Sequence, residues 1–99
     1  MPYTGITFEW DSGKAKRNLA KHGIPFAYAT RAFSDPSGTA YPDRRRPYGE
    51  ERLNLIARIE TYVLCVTFTV REGKIRIISA RRASKKERGK YRPVQTERS

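Results

Sequence analysis

Arginine is the residue type in this chain with the clearest capacity for chemistry. Arg52, Arg71, Arg76 and Arg81 lie in or beside segments rich in β-branched and aromatic residues, where a strand would hold each guanidinium group in place. A guanidinium group presents planar N–H donors that match phosphate oxygens. Such donors stabilise the charge that develops when the 2′-hydroxyl group of RNA attacks the adjacent phosphate. The four arginines are therefore candidates for catalysis of RNA cleavage.

RNA cleavage also requires proton transfers, and His22 is the side chain whose ordinary pKa lies near neutrality. It is the one histidine of the sequence and directly precedes Gly23. Two interpretations stay open: His22 acts as an acid or base, or it caps the carbonyl groups at the end of a helix. Glu50 and Glu87 are weaker candidates for the base.

The sequence gives little support to metal sites, cofactor sites or covalent nucleophiles. One histidine and one cysteine, Cys65, cannot form a zinc site within one chain, and one cysteine cannot form an internal disulfide bond. The carboxylates are scattered, and no Gly-rich phosphate loop or nucleophile elbow is present. We therefore expect cleavage that needs neither a metal ion nor a cofactor.

The charge of the chain is strongly positive, with 21 Lys and Arg residues against 10 Asp and Glu residues and a net charge of +11. Much of the surplus lies in residues 71–99. This distribution predicts a polyanionic partner, either nucleic acid or an acidic protein, although a solvated basic surface has the same composition. The sequence shows neither an apolar segment of about 20 residues nor a secretory signal, so we expect a cytoplasmic protein without membrane contact.

Two helices and a short strand are predicted in the N-terminal third. Apolar residues alternate over 6–10, which indicates a strand. Asp11 is a candidate N-cap for a helix that ends at Gly23. Pro25 suits the first turn of a second helix that ends at Asp35-Pro36. Both helices have a thin apolar stripe and are expected on one face of a sheet.

Three strands are predicted over 52–59, 62–70 and 75–80, joined by two-residue turns at 60–61 and 72–73. Residues 37–51, which include a run of three arginines at 44–46, predict a mobile loop. Ser84 and Glu87 form a capping box that begins a short C-terminal helix. We expect residues 94–99 to be disordered.

The two turns predict the register of the sheet. Arg52, Thr69 and Arg76 form one cross-strand row; Asn54, Thr67 and Ile78 form the next; and Arg71 lies opposite Lys74. The face turned away from the helices then carries Arg52, Asn54, Arg58, Thr67, Thr69, Arg71, Lys74 and Arg76. This face suits an RNA backbone, and it is equally compatible with an ordinary solvated surface.

Arg81 falls on the helix-facing side in this register, across from Leu64. There it either pairs with a carboxylate such as Glu9 or Asp11, or reaches around the end of the sheet into a cleft. A structural salt bridge and a catalytic role both stay open.

Several blocks of residues together resemble the BrnT toxin family. The resemblance covers roughly residues 6–91 and is carried by Phe8-Glu9-Trp10-Asp11, Lys14, Asn18, Lys21-His22-Gly23, Asp35-Pro36, Gly49-Glu50-Glu51-Arg52, Thr69, Arg71, Arg76-Ile77-Ile78-Ser79-Ala80-Arg81, Glu87-Arg88 and Tyr91. Ala57 and Val70 depart from the residue types common in the family.

The resemblance implies the toxin of a type II toxin–antitoxin pair, with a RelE-like fold and a ribonuclease activity that arrests translation. It further implies a BrnA-like antitoxin of ribbon-helix-helix type, whose complex with the toxin binds operator DNA. Carried over by position, it makes candidates of Lys21, His22, Arg52, Arg71, Arg76 and Arg81, without separating catalytic from structural roles.

We therefore predict one α+β domain over residues 1–93, with an antiparallel sheet of about four strands, two N-terminal helices on one face and a short C-terminal helix. The predicted function is metal-independent endoribonuclease toxin. The predicted catalytic residues are His22, Arg52, Arg71, Arg76 and Arg81. The predicted RNA-binding residues are Lys21, Arg58, Lys74, Arg82, Lys85 and Lys86. The alternative is a non-catalytic nucleic-acid-binding module that uses the same basic face.

Overall fold

A five-stranded mixed sheet lies at the centre of the fold in the computed structural model, which describes residues 5–45 and 47–93. The strands are β1 (Phe8–Glu9), β2 (Thr39–Pro42), β3 (Leu53–Ile59), β4 (Tyr62–Arg71) and β5 (Lys74–Arg82), in the order β1-β5-β4-β3-β2. The α+β class is confirmed. The prediction of about four antiparallel strands was wrong in two respects, because β1 pairs parallel to β5 and β2 is an additional strand.

The additional strand β2 lies inside the segment predicted to be a loop. It pairs antiparallel with β3, and the amide of Asp43 extends the pairing by donating to the carbonyl of Arg52 at 2.8 Å. Pro42 has no N–H to donate. The sheet tolerates it because β2 is an edge strand, in which not every backbone N–H has to pair. The prediction of a loop throughout 37–51 was therefore wrong over Thr39–Pro42.

The helical segments agree with the sequence in position. Helix α1 (Ser12–His22) begins after Asp11, whose carboxylate accepts from the Lys14 amide at 2.8 Å, and ends at Gly23, which has a φ of 73°. Helix α2 (Phe26–Ala29) continues as a 3₁₀ turn (Thr30–Ser34), and the capping box begins α3 (Lys85–Arg88). None of the helices in the described part of the chain could cross a membrane. The predicted disorder of 94–99 lies outside the described residues.

The main core fills the space between the sheet and the N-terminal helices. The sheet contributes apolar side chains that project toward the helices: Leu55, Leu64, Val66 and Ile77. The Phe33 ring, from the helical segment, lies tilted to the Phe8 ring at 5.3 Å and edge-on to the Phe68 ring at 5.0 Å between centroids. The period-two alternation of the three long strands predicted this face. The helices therefore cover one face of the sheet and leave the other, called here the open face, to residues 43–45 and 47–52 and to α3.

A β-bulge in β5 changes the predicted register. Thr69 lies opposite Arg76 and Arg71 opposite Lys74, as predicted, but Phe68 pairs with Ile77 and Thr67 pairs with Ser79 instead of Ile78. An extra residue in one strand moves every later side chain to the other face. Arg81 therefore lies opposite Cys65 on the open face, and its predicted place across from Leu64 on the helix-facing side was wrong.

The edge of β5 beyond the bulge is paired by a side chain. Asn18, which is buried in α1, donates to the carbonyl of Ala80 at 2.8 Å and accepts from the amide of Ala80 at 3.1 Å. Its amide nitrogen also donates to the carbonyl of Ile24 at 3.1 Å. Asn18 thus makes the two hydrogen bonds to Ala80 that a neighbouring strand would make, and it fixes α1 against β5.

Candidate functional site

The open face carries a hollow of about 440 Å³, which we call the basic hollow. Its lining includes five cationic side chains and two carboxylates: Arg44, Arg45, Arg81, Lys86, Lys90, Asp43 and Glu87. The cations come from the loop after β2, from the end of β5 and from the α3 region. The hollow therefore has a surplus of three positive charges and suits a polyanion.

A second hollow of about 360 Å³ adjoins the first. It is lined by Arg45, Tyr48, Arg52, Thr67, Ile78 and Ser79, and we call it the threonine hollow. Arg45 lines both hollows, and the hydroxyl of Thr67 donates to Oδ1 of Asn54 at 2.7 Å at the boundary between them. The two hollows thus form adjacent parts of one surface on the open face.

Arg81 is held in the basic hollow by Glu87. Its two terminal nitrogens donate to the two carboxylate oxygens of Glu87 at 2.7 and 2.8 Å. This pairing raises the pKa of Arg81 and lowers the pKa of Glu87 to about 2. Glu87 also caps α3 by accepting from the Ser84 amide at 2.8 Å. The capping box that the sequence predicted therefore also orients a guanidinium group, and 32% of the Arg81 side chain stays exposed to the hollow.

Arg45 is held in the same way by Asp43. Its Nε and one terminal nitrogen donate to the Asp43 carboxylate at 2.8 and 2.7 Å, and the hydroxyl of Tyr48 donates to the same group at 3.2 Å. The Asp43 side chain is 1% exposed and that of Arg45 is 66% exposed. The hydrogen bond from Arg45 is the main cause that lowers the pKa of Asp43 to about 2. A buried anion thus fixes an exposed cation.

Sequence reasoning missed Arg45 because it assigned residues 44–46 to a mobile loop. The available signal was the pair Asp43 and Arg45 at a spacing of two, directly after a residue pattern compatible with an edge strand. Arg44, Tyr41 and Lys90, which also line the basic hollow, were missed for the same reason or because they lie in short terminal segments.

The other predicted catalytic arginines also pair with carboxylates. Arg52 and Arg71 share Glu50, at 3.3 and 2.8 Å, and Arg76 lies 3.4 Å from Glu9. The guanidinium group of Arg52 stacks 4.0 Å from the centroid of the Tyr48 ring and faces the threonine hollow. The Arg71 and Arg52 contacts lower the pKa of Glu50.

The structure therefore brings Arg52 and Arg81 to adjoining hollows and does not gather all four arginines in one. Arg76 lies five residues before Arg81 on β5, which corresponds to about 16 Å along an extended strand. Arg71 lies farther away still, beside the turn at Glu72-Gly73. A phosphate in the basic hollow would be reached by Arg81 and Arg45 rather than by Arg71 or Arg76.

His22 lines a different pocket, on the helix-facing side. This pocket has a volume of about 330 Å³, and its lining includes Tyr28, Tyr62 and Arg82. Burial lowers the pKa of His22, and the charges of Lys21 and Arg81 lower it further. These effects favour the neutral form of the imidazole.

The predicted RNA-binding residues are spread over several surfaces. Lys86 lines the basic hollow, whereas Arg82 lies on the helix-facing side, 4.8 Å from the centroid of the Tyr62 ring. Arg58 donates to the carbonyl of Glu60 at 3.0 Å at the far end of β3. Lys21, Lys74 and Lys85 are exposed at the end of α1, the start of β5 and the start of α3. Within 5–45 and 47–93, no three His, Cys, Asp or Glu side chains form a potential metal site.

A comparison with protein families identifies the family of the chain. Residues 10–87 match the profile of the ribonuclease toxin BrnT of type II toxin–antitoxin systems. The chain belongs to the BrnT family. No curated protein is significantly similar to it in sequence. Membership of the BrnT family makes RNA the substrate and an antitoxin the partner, and the matched residues include Arg45, Arg81 and Glu87.

Proposed function

We propose that this BrnT-family chain is a metal-independent endoribonuclease whose toxicity arises from cleavage of RNA and arrest of translation. The observation that carries the proposal is the basic hollow, in which Arg81 and Arg45 are each fixed by a bidentate carboxylate. Cations held in place before the substrate binds stabilise developing charge at little cost of reorganisation. A phosphodiester in this hollow would meet donors from two sides.

The chemistry assigned to the hollow is attack of a 2′-hydroxyl oxygen on the adjacent phosphorus. The new bond forms a 2′,3′-cyclic phosphate, and the bond to the 5′-oxygen of the next nucleotide breaks. The 2′-hydroxyl group loses a proton in this step, and the departing 5′-oxygen gains one to become a hydroxyl group. Arg81 and Arg45 bind the non-bridging oxygens, while Lys86 and Lys90 bind neighbouring phosphates. Arg52, Arg71 and Arg76, which lie outside the basic hollow, are proposed to extend the RNA-binding surface along the open face.

Proton transfer is the part of the reaction to which the hollow contributes least. Asp43 and Glu87 have pKa values of about 2 and are therefore weak bases at neutral pH. The environment of His22 favours the neutral imidazole, which can accept a proton, but His22 lines another pocket. Its substitution by alanine is expected to lower the rate less than tenfold, whereas loss of a general base costs about 100-fold or more. A loss of that size would make His22 the base.

The partner is proposed to be an antitoxin of ribbon-helix-helix type, whose complex with the toxin binds operator DNA. An acidic segment of such an antitoxin would complement the surplus of positive charge in the basic hollow. Binding there would also exclude RNA, which accounts for inhibition by simple occlusion.

The test is incubation of the purified protein with single-stranded RNA in excess chelator. The wild-type protein should yield discrete products, and Arg81→Ala should lower the rate by about 100-fold or more. Arg31→Ala is the matched control, because Arg31 also pairs with a glutamate, Glu60 at 3.5 Å, but lies outside both hollows. Thermal unfolding of each variant establishes that it folds.

The second candidate function is a non-catalytic nucleic-acid-binding module. It is favoured by one observation, that the two carboxylates of the basic hollow have pKa values of about 2 and His22 lines another pocket, so the hollow supplies binding groups without an evident base. Retarded migration of RNA without cleavage in the same assay would support this candidate. Full activity of Arg81→Ala would show that the site has been placed wrongly.

A further inference from the structure

Asn54 is a buried polar residue on the open face that the proposed cleavage step does not use. It lies in β3 between Tyr41 of β2 and Thr67 of β4, and 7% of its surface is exposed. That exposed part belongs to the lining of the basic hollow. Most of the other side chains that line the hollow are charged, whereas the amide itself is neutral.

The orientation of the Asn54 amide is fixed by Thr67. The Thr67 hydroxyl donates to Oδ1 of Asn54 at 2.7 Å, so the carbonyl end of the amide is engaged. Its Nδ2 has no hydrogen-bond partner among the described residues, and because no fully buried side-chain nitrogen or oxygen there lacks a partner, Nδ2 is the part of the amide that is accessible from the hollow. The side chain therefore presents a fixed N–H donor to the hollow, without an equally free acceptor.

The basic hollow offers different donors to the two kinds of hydrogen-bond acceptor in RNA, the phosphate oxygens and the acceptors on the bases. Phosphate oxygens are bound best by the guanidinium and ammonium groups that surround Asn54. A neutral donor beside an aromatic ring is the arrangement that proteins use to contact an unstacked base. Tyr41 supplies that ring directly across the β2–β3 pair, and the Lys90 ammonium lies 4.3 Å from its centroid.

We infer that Asn54 is a specificity-determining residue that selects a base with a carbonyl oxygen at position 4 of a pyrimidine or position 6 of a purine, uracil or guanine, beside the scissile phosphate. The inference rests on the proposed ribonuclease function and names part of its substrate. Cytosine and adenine present an amino group at the corresponding position, which cannot accept from Nδ2. Thr67 is a positioning residue, since it orients the amide without contacting the base.

Two non-cleavable oligonucleotides test this inference. Single-stranded octamers of uridine and of cytidine, with fluorine in place of each 2′-hydroxyl group, differ at the base edge while sharing one backbone. Fluorescence anisotropy at fixed salt concentration gives the ratio of their two dissociation constants. The wild-type protein should bind the uridine octamer about two- to tenfold more tightly, as expected for one hydrogen bond.

The variants separate base recognition from general binding. Asn54→Ala should bring the ratio close to one. Asn54→Asp should reverse it, because its carboxylate keeps the hydrogen bond from Thr67 and offers an acceptor to the cytosine amino group. Thr67→Val should give an intermediate ratio, whereas Thr61→Val in the exposed β3–β4 turn should keep the wild-type value. If Asn54→Ala fails to fold, the reversal in Asn54→Asp carries the test.

A wild-type ratio of one, or an unchanged ratio in Asn54→Ala, overturns the inference. So does an equal loss of affinity for both octamers in Asn54→Ala, which would assign Nδ2 to a phosphate. Cleavage is measured separately on ordinary RNA in excess chelator. A ratio that depends on Asn54 without cleavage would refute the ribonuclease proposal alone, and cleavage without that ratio would refute the base selection alone.

Discussion

The two faces of the sheet are both largely buried, but they are covered by different kinds of residue. The helix-facing side packs Leu55, Leu64 and Val66 against aromatic rings and alanines. The open face buries Asn54, Thr67 and Thr69 and carries arginines fixed by carboxylates. Apolar burial supplies most of the stability of a domain, whereas partly exposed ion pairs contribute little net stability and fix geometry. The helix-facing side therefore stabilises the fold, and the open face presents charge.

The largest expected effect is on the helix-facing side. Phe33 is 3% exposed and contacts two other phenylalanine rings, so Phe33→Ala removes a large buried volume. We expect the free energy of unfolding to fall by about 3–5 kcal/mol, measured by urea denaturation. Leu19→Ala, at a residue 48% exposed, is the control and should cost little. A loss below about 1 kcal/mol for Phe33→Ala would contradict the assignment of the main core.

The next effect is expected at the junction of α1 and β5. Asn18→Ala removes three buried hydrogen bonds and leaves the amide of Ala80 and two carbonyl groups unpaired. We expect a loss of about 2–3 kcal/mol. Hydrogen exchange at the Ala80 amide should become faster even where the rest of the sheet stays protected. Unchanged exchange there would show that Asn18 is not the partner of β5 in solution.

A smaller effect is expected on the open face, where the free energy of unfolding should depend on pH. The pKa of Glu87 is about 2, below the ordinary value of 4.5, so its contribution to stability is present above pH 4.5 and is lost as the pH falls toward 2. We expect Glu87→Gln to lose about 1–2 kcal/mol near pH 7 and to show a shallower acid limb of the unfolding free energy. An acid limb identical to that of the wild-type protein would contradict the Arg81–Glu87 pairing.

The smallest expected signal is at Cys65, which lies on the open face opposite Arg81 in the β4–β5 pair. The thiol is fully buried, and burial raises its pKa to about 11. At pH 8 the folded protein should therefore not react measurably with a thiol reagent, whereas the protein in denaturant should react at once. Rapid labelling of the folded protein would mean that the cover formed by residues 43–45 and 47–52 and by α3 opens readily.

The sequence predicted the elements of the candidate site better than their arrangement. Alternation identified β3, β4 and β5, and cap residues identified α1 and α3, because these signals are local. The pairing of Asn54 with Thr67 followed from the turn at 60–61. The pairing of Arg81 with Glu87 could not be predicted, because it depends on which face of the sheet Arg81 occupies.

The amino-acid sequence by itself determined the α+β class, the helix-facing core, the basic charge and the resemblance that family membership then confirmed. Only the tertiary structure decided that β1 runs parallel to β5, that Asp43 anchors Arg45, and that Arg81 faces the basic hollow. For Arg81 the physical reason is the bulge at Ile78. Side chains alternate with a period of two, so one extra residue reverses the face of every residue after it.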